Sequence, residues 1–189
     1  MLDLRHIKPI HIWVLLILIS LMACTETSAN FGKYYRGKTL DVNIVKLERL
    51  PELLYSTIDS DQVPHYFRIV PSEDQLELVI LRVKVENHTA TSAIVNIDSQ
   101  AAELRDFFQG KYFPINVNER VEEIDPPDRR IADRSVVFLW NKTYQDGTSE
   151  AFTLPRDFGI DGILVFEVPE DTKFRELRWR AGDTLSIRF

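Results

Sequence analysis

Leu76-Glu77-Leu78-Val79-Ile80-Leu81-Arg82-Val83-Lys84-Val85-Glu86-Asn87 is the stretch that decides the fold. Its first half is apolar at almost every position, and its second half sets Val83 and Val85 against Arg82, Lys84 and Glu86. Successive side chains on a strand point to opposite faces, so a continuous apolar run needs cover on both sides and an alternating one needs it on one. The stretch therefore predicts a central strand, covered on both faces where it starts and emerging toward solvent where it ends.

The same period of two recurs on either side. Leu40, Val42 and Ile44 alternate with Asp41 and Asn43, and then Val45 and Leu47 continue on the opposite parity. That slip predicts a β-bulge or a strand switching sheets. Further strands are expected over 92–98, at Leu104, and over 112–117, 135–140, 151–154, 162–168, 174–180 and 184–189. In the last two, Leu177, Trp179, Leu185, Ile187 and Phe189 alternate with Arg178, Arg180, Ser186 and Arg188, giving one apolar and one basic face. Gly110 is expected to supply a positive φ for a hairpin turn, and residues 144–147 a second turn. Residues 121–134, with Pro126-Pro127 and dense charge, read as a loop or linker outside the core. No stretch of about 12 residues downstream holds a helical period. Seven to nine short strands predict an all-β fold, a β-sandwich in preference to a barrel.

The chain has 189 residues, a net charge of −6, 44% hydrophobic and 28% charged residues, and one cysteine. That is enough for one packed domain plus a tail. The acidic balance argues against a nucleic-acid partner, whose phosphates call for clustered Lys and Arg. A single cysteine excludes an internal disulfide and a Cys-rich metal centre.

At the N-terminus, Arg5 and Lys8 stand against Asp3, and residues 12–23 are apolar apart from Ser20. A basic start, a short apolar run and a small residue at its end are the parts of a secretory signal; a membrane span needs about 20 apolar residues. Leu21-Met22-Ala23-Cys24 then resembles the lipobox of bacterial lipoproteins, with Met22 in place of the usual small or β-branched residue. The resemblance implies diacylglyceryl transfer to the Cys24 sulfur, cleavage after Ala23 and anchoring by two or three acyl chains. The alternative is an ordinary signal cut after Ala23 or Ala29, with Cys24 incidental. Thr25 stands where an Asp would resemble an inner-membrane retention signal, which favours the outer membrane in a cell that has two. The expected organisation is a signal peptide over 1–23, a flexible tether over 24–38 and a sandwich domain over 39–189.

Two stretches carry a family resemblance. One is the long strand 78–87 running into His88-Thr89. The other is Phe152-Thr153-Leu154-Pro155, Gly162-Ile163-Leu164-Val165-Phe166-Glu167-Val168-Pro169 and Leu177-Arg178-Trp179. Together they resemble the immunoglobulin-like, telokin-like domains of unknown function that recur in bacterial lipoproteins. The resemblance implies an immunoglobulin-like sandwich and an envelope location, and it brings no catalytic residues.

Little else points to chemistry. Downstream of residue 23 there are two histidines, His65 and His88, and no G-x-S-x-G elbow, so both read as turn residues and no catalytic group is expected. Glu122, Glu123, Asp125 and Asp128 in one loop, with Asp157 and Asp161 in another, could offer calcium its six to eight oxygens. Arg129 and Arg130 would repel the ion, and solvated charge is the expected reading, with no metal or cofactor. Trp140, Tyr144 and Trp179 could form a platform for a sugar or peptide, but parity places Trp179 with Leu177 in the core. Residues 119–171 are net acidic and 173–189 net basic, which predicts neutralisation across the sandwich or docking of an anionic partner. Asn87-His88-Thr89 and Asn141-Lys142-Thr143 fit the N-glycosylation pattern, which usually goes unused in bacteria. The expected protein is a lipid-anchored, non-enzymatic envelope lipoprotein with a binding or structural role. It would meet the membrane through acyl chains on Cys24 and an envelope protein or polymer of unknown identity. An accessory binder of a carbohydrate or peptide is the alternative, and an envelope hydrolase a distant third.

Overall fold

The computed structural model describes residues 25–58, 60–126, 136–144 and 146–189. Within them the chain is all-β, apart from one 3-10 turn at Val117–Glu119. A five-stranded antiparallel sheet is built from β1 (Thr25–Glu26), β2 (Tyr34–Arg36), β3 (Leu40–Leu50), β6 (Leu76–Asn87) and β14 (Gly159–Pro169). β6 lies between β3 and β14 and pairs with β14 along its whole length, from Leu76↔Pro169 to Glu86↔Gly159.

β6 behaves as its sequence demands. Val79, Leu81, Val83 and Val85 face the main core, together with Leu40, Val42 and Ile44 of β3 and Leu164, Phe166 and Val168 of β14. Across that core lie β7 (Ser92–Val95) paired with β13 (Phe152–Pro155), and a four-stranded sheet of β8 (Ala102–Asp106), β9 (Lys111–Tyr112), β15 (Phe174–Trp179) and β16 (Leu185–Arg188). These strands contribute Val95, Leu154, Leu104, Leu177, Trp179 and Ile187, and the two layers form a sandwich. On the opposite face of β6, Leu78 and Ile80 meet a third layer, in which β5 (Pro64–Ile69) sits between β4 (Leu53–Ile58) and β10 (Glu122–Ile124). Leu53, Tyr55, Ile69 and Val117 close this second cluster. From Arg82 onward that face carries Arg82 and Lys84, both paired with Asp161.

The parity slip in β3 is a bulge and not a change of sheet. Ile44 pairs with Val83 and Lys46 with Arg82, so Val45 is the extra residue, and Ile44 and Leu47 both reach the core. A second irregularity between Phe174 and Glu176 lets Phe174 and Leu177 share the inner face of β15 in the same way.

Several expectations are corrected. Strands outnumber the seven to nine expected, because two- and three-residue pieces pair along the edges. The expected tether joins the sheet: Thr25 and Glu26 pair with Glu48 and Leu47, and Tyr34, Tyr35 and Arg36 pair with Asn43, Val42 and Asp41. Phe31 and Tyr35 pack on the core, which holds the segment where composition alone suggested freedom. Residues 122–124 form β10 against β5, and Val121 packs on the second cluster; residues 127–134 of that expected loop lie outside the described residues. The expected strand at 135–140 is no ladder strand. Its described part touches β14 through one parallel bridge, Phe138↔Ile163, with Val137 O accepting from Ile163 N at 2.8 Å. That contact, and Ile115 N donating to Val165 O at 2.8 Å, cover the free edge of β14. The positive φ of the 106–111 turn belongs to Gln109 (69°), not to Gly110. At Gly110 a Cβ would press on the Asp106 carboxylate and the Tyr112 hydroxyl, so glycine serves close approach there. Around Tyr144 the expected turn is present, closing β11 (Lys142–Thr143) on β12 (Ser149–Glu150), with Gly147 at φ 81°.

Candidate functional site

The expected lipidation residue, Cys24, lies outside the described residues, but the residue bonded to it opens β1. Thr25 pairs with Glu48, next to Arg49. Arg49 shares the inward parity of Leu47 beyond the bulge and plugs the end of the sandwich. Its guanidinium lies 5.0 Å from the centroid of the Phe174 ring and donates to Glu77 and to the Thr172 carbonyl. Aromatic face, carboxylate and carbonyl together satisfy a cation that would be costly to leave unmatched in a core wall. The loops 70–75 and 169–173 lie at this same end, because Leu76 pairs with Pro169 and Gln75 O accepts from Glu170 N at 3.0 Å. No helix among the described residues is long and apolar enough to cross a membrane.

The other candidate residues are scattered. His65 Nδ1 meets Glu123 Oε1 at 2.8 Å across the β5–β10 pair, and His88 Nε2 lies 3.5 Å from Asp41 Oδ1 on another sheet. Of the acidic residues weighed for calcium, Glu122 accepts from Arg68 at 2.8 Å and Asp161 takes both Nε and Nη2 of Arg82 at 2.8 Å. The hydrogen bonds and charge of Arg82, with Lys84 beside it, hold the Asp161 carboxyl below its usual range despite partial desolvation. Asp157 occupies a turn at φ 66°, and Asp125 is exposed; Asp128, Arg129 and Arg130 lie outside the described residues. Charges expected as solvated loops are thus partly strand-borne ion pairs.

The three aromatics form no common platform. Trp179 is 0% exposed, with its indole Nε1 donating to Ala181 O at 2.8 Å, whereas Trp140 is half-buried and Tyr144 is exposed beside Lys142. Both glycosylation-like asparagines are buried structural groups. Asn87 donates to Ala90 O and Leu154 O at 2.9 Å, and Asn141 Oδ1 accepts from Ile97 N at 2.7 Å while its amide reaches Asn96.

The basic face of β15 and β16 holds a feature that parity alone did not reveal. Glu103 and Glu176, 1% and 5% exposed, sit among these arginines on the outer surface of the sheet. Arg105 and Arg180 bind Glu103, while Arg178 at 3.1 Å, Arg175 at 3.3 Å and Ser186 at 2.9 Å bind Glu176. Burial by itself would raise the Glu176 carboxyl, but these donors outweigh it and hold it below the ordinary range. The basic stripe is therefore neutralised within its own face, not across the sandwich. At its edge an open depression is lined by Lys38, Arg180, Gly182, Asp183 and Thr184. Asp183 is occupied with backbone, accepting from Thr39 N at 2.8 Å and Leu40 N at 3.3 Å.

No protein-family profile matches the chain, and no curated protein matches it. Among solved structures it is similar to the proposed lipoprotein ycdA of Bacillus subtilis, at 15% identity and a TM-score of 0.47, over 86% of this chain and 39% of that one. It is also similar to the yjhA protein of Bacillus subtilis, at 16% identity and a TM-score of 0.47, over 84% of this chain and 87% of that one. A functionally unknown protein of Listeria monocytogenes EGD-e shows 7% identity and a TM-score of 0.43, over 88% of each chain. The chain spans well under half of ycdA, and likenesses this loose carry neither family nor function to it.

Proposed function

We propose that the chain is a lipid-anchored, non-enzymatic lipoprotein of the cell envelope, whose immunoglobulin-like sandwich serves a binding or architectural role at the membrane surface. The observation that carries this reading is Leu21-Met22-Ala23-Cys24, placed directly after a short apolar run and one residue before the first strand. A secreted domain whose ordered sheet begins next to the acylated residue is held against the bilayer, not on a long leash. The immunoglobulin-like assignment is supported by the long strand 78–87 and the closing strands 152–155, 162–169 and 177–179 that carry the resemblance. The carbohydrate- or peptide-binding alternative loses its best ring, because Trp179 is spent in the core.

The test is acyl labelling in a bacterial host. The parent protein should take up labelled fatty acid and sediment with membranes, and Cys24→Ser should remain an unlabelled, uncleaved precursor. A processed Cys24→Ser protein recovered equally with the membranes overturns the reading.

A further inference from the structure

We propose that the turn between β8 and β9 is a membrane wedge, with Phe107 and Phe108 inserting their rings into the bilayer that carries the acyl chains of Cys24. The inference rests on the anchor reading for the nearness of that bilayer, and on the structure for everything else.

Exposure comes first. Phe108 is 92% and Phe107 61% exposed, the former more than any other large apolar side chain among the described residues. Adjacent phenylalanines at a hairpin tip that keep most of their apolar surface in water mark a surface suited to meeting something apolar. The tip is also rigid. Asp106 Oδ1 accepts from the backbone N–H of both Phe108 and Gly110 at 2.7 Å, and its Oδ2 accepts from the Tyr112 hydroxyl at 3.0 Å. Asp106 N donates to Gly110 O at 3.2 Å, and Gln109 takes the positive φ that turns the chain. With the loop already ordered, insertion costs little further conformational entropy.

Position selects the bilayer as occupant. Thr25 pairs with Glu48; the next residue, Arg49, lies over the Phe174 ring; and Phe174 pairs with Asp106, the residue before the two phenylalanines. Thr25, the residue bonded to Cys24, and the aromatic tip therefore lie at the same end of the sandwich, on its two facing sheets. Charge at this end is mixed, with Lys111 and Lys173 near the tip and Glu73, Asp74, Glu170 and Asp171 on the loops across from it. Apolar insertion, not attraction to anionic headgroups, is what this surface offers.

The test uses the full chain reconstituted in phosphatidylcholine vesicles with brominated acyl chains. Phe108→Trp provides the reporter, and Phe158→Trp, 64% exposed in the turn before Gly159 at the opposite end, provides the control. The emission that Phe108→Trp adds over the parent should be strongly quenched at low and high salt alike, and that of Phe158→Trp should not. Quenching at Phe108→Trp no greater than at Phe158→Trp overturns the wedge. Should Phe108→Trp melt below the parent, Phe107→Trp takes its place with the same two outcomes. Acyl labelling of the same preparation separates the two readings. Label without quenching removes the wedge and leaves the anchor, whereas quenching without label removes the anchor and keeps the wedge.

Discussion

Trp179 and Asp183 show two ways in which one side chain holds this molecule. Trp179 fills the interior between sheets and keeps its only polar atom satisfied on Ala181 O. Truncating such a residue removes apolar burial and leaves a cavity, so Trp179→Ala should cost about 3–5 kcal/mol in urea unfolding. Arg178→Ala, which removes one of several donors to Glu176, should cost under about 1 kcal/mol. Equal midpoints for the two would place Trp179 outside the core. Asp183 ties the β15–β16 turn to the start of β3, accepting from Thr39, Leu40 and Thr184 N–H. Desolvation pushes its carboxyl up, but these donors outweigh it and the net value falls below the ordinary 3.8. A carboxylate with a depressed folded-state pKa adds stability above its unfolded value and loses it as pH falls through the folded one. The melting-temperature gap between parent and Asp183→Asn should therefore be widest near neutrality and should close below the ordinary value of 3.8. A gap that is constant across that range would show that the charge of Asp183 is not what ties the two segments.

At the scale of elements, the segment 25–38 matters more than its composition suggests. β1 and β2 cover the outer edge of β3, and Phe31 packs edge-on against Phe189 at 5.5 Å. Cutting the chain at residue 39 removes that cover and the partial burial of Phe31 and Tyr35. Residues 39–189 should therefore be less stable than 25–189 by about 2 kcal/mol or more, and more prone to associate through the bared edge. Denaturant midpoints with sedimentation at rising concentration check both; identical behaviour of the two fragments would return 25–38 to the status of a tether. Its composition hides this role because its alternation is short and its cohesion comes from hydrogen bonds to β3, which no local pattern displays. Strand β10 is hidden in the same way: Glu122, Glu123 and Ile124 carry a loop composition and become a strand by pairing with Arg68, Phe67 and Tyr66.

For the whole molecule, the acylation and quenching experiments divide one proposal into its halves, because the anchor belongs to the sequence before the sheet and the wedge to the far side of the sandwich. Leu76–Asn87 by itself determined that β6 is central, covered twice at Leu78–Leu81 and once from Arg82 onward, because apolar periodicity records how many faces a strand must hide. The slip at Val45 likewise announced its bulge, and the Leu177–Trp179 parity its inner face. The proposal for Cys24 rests on the linear sequence alone, because a processing signal is read along the chain and not from the fold. Only the tertiary structure decided that Glu103 and Glu176 neutralise the arginine stripe from within, that Asn87 and Asn141 are buried, and that Phe107 and Phe108 share an end with Thr25. Those facts depend on which strands become neighbours across tens of residues of chain, and a period of two says which face a side chain takes but not who stands beside it.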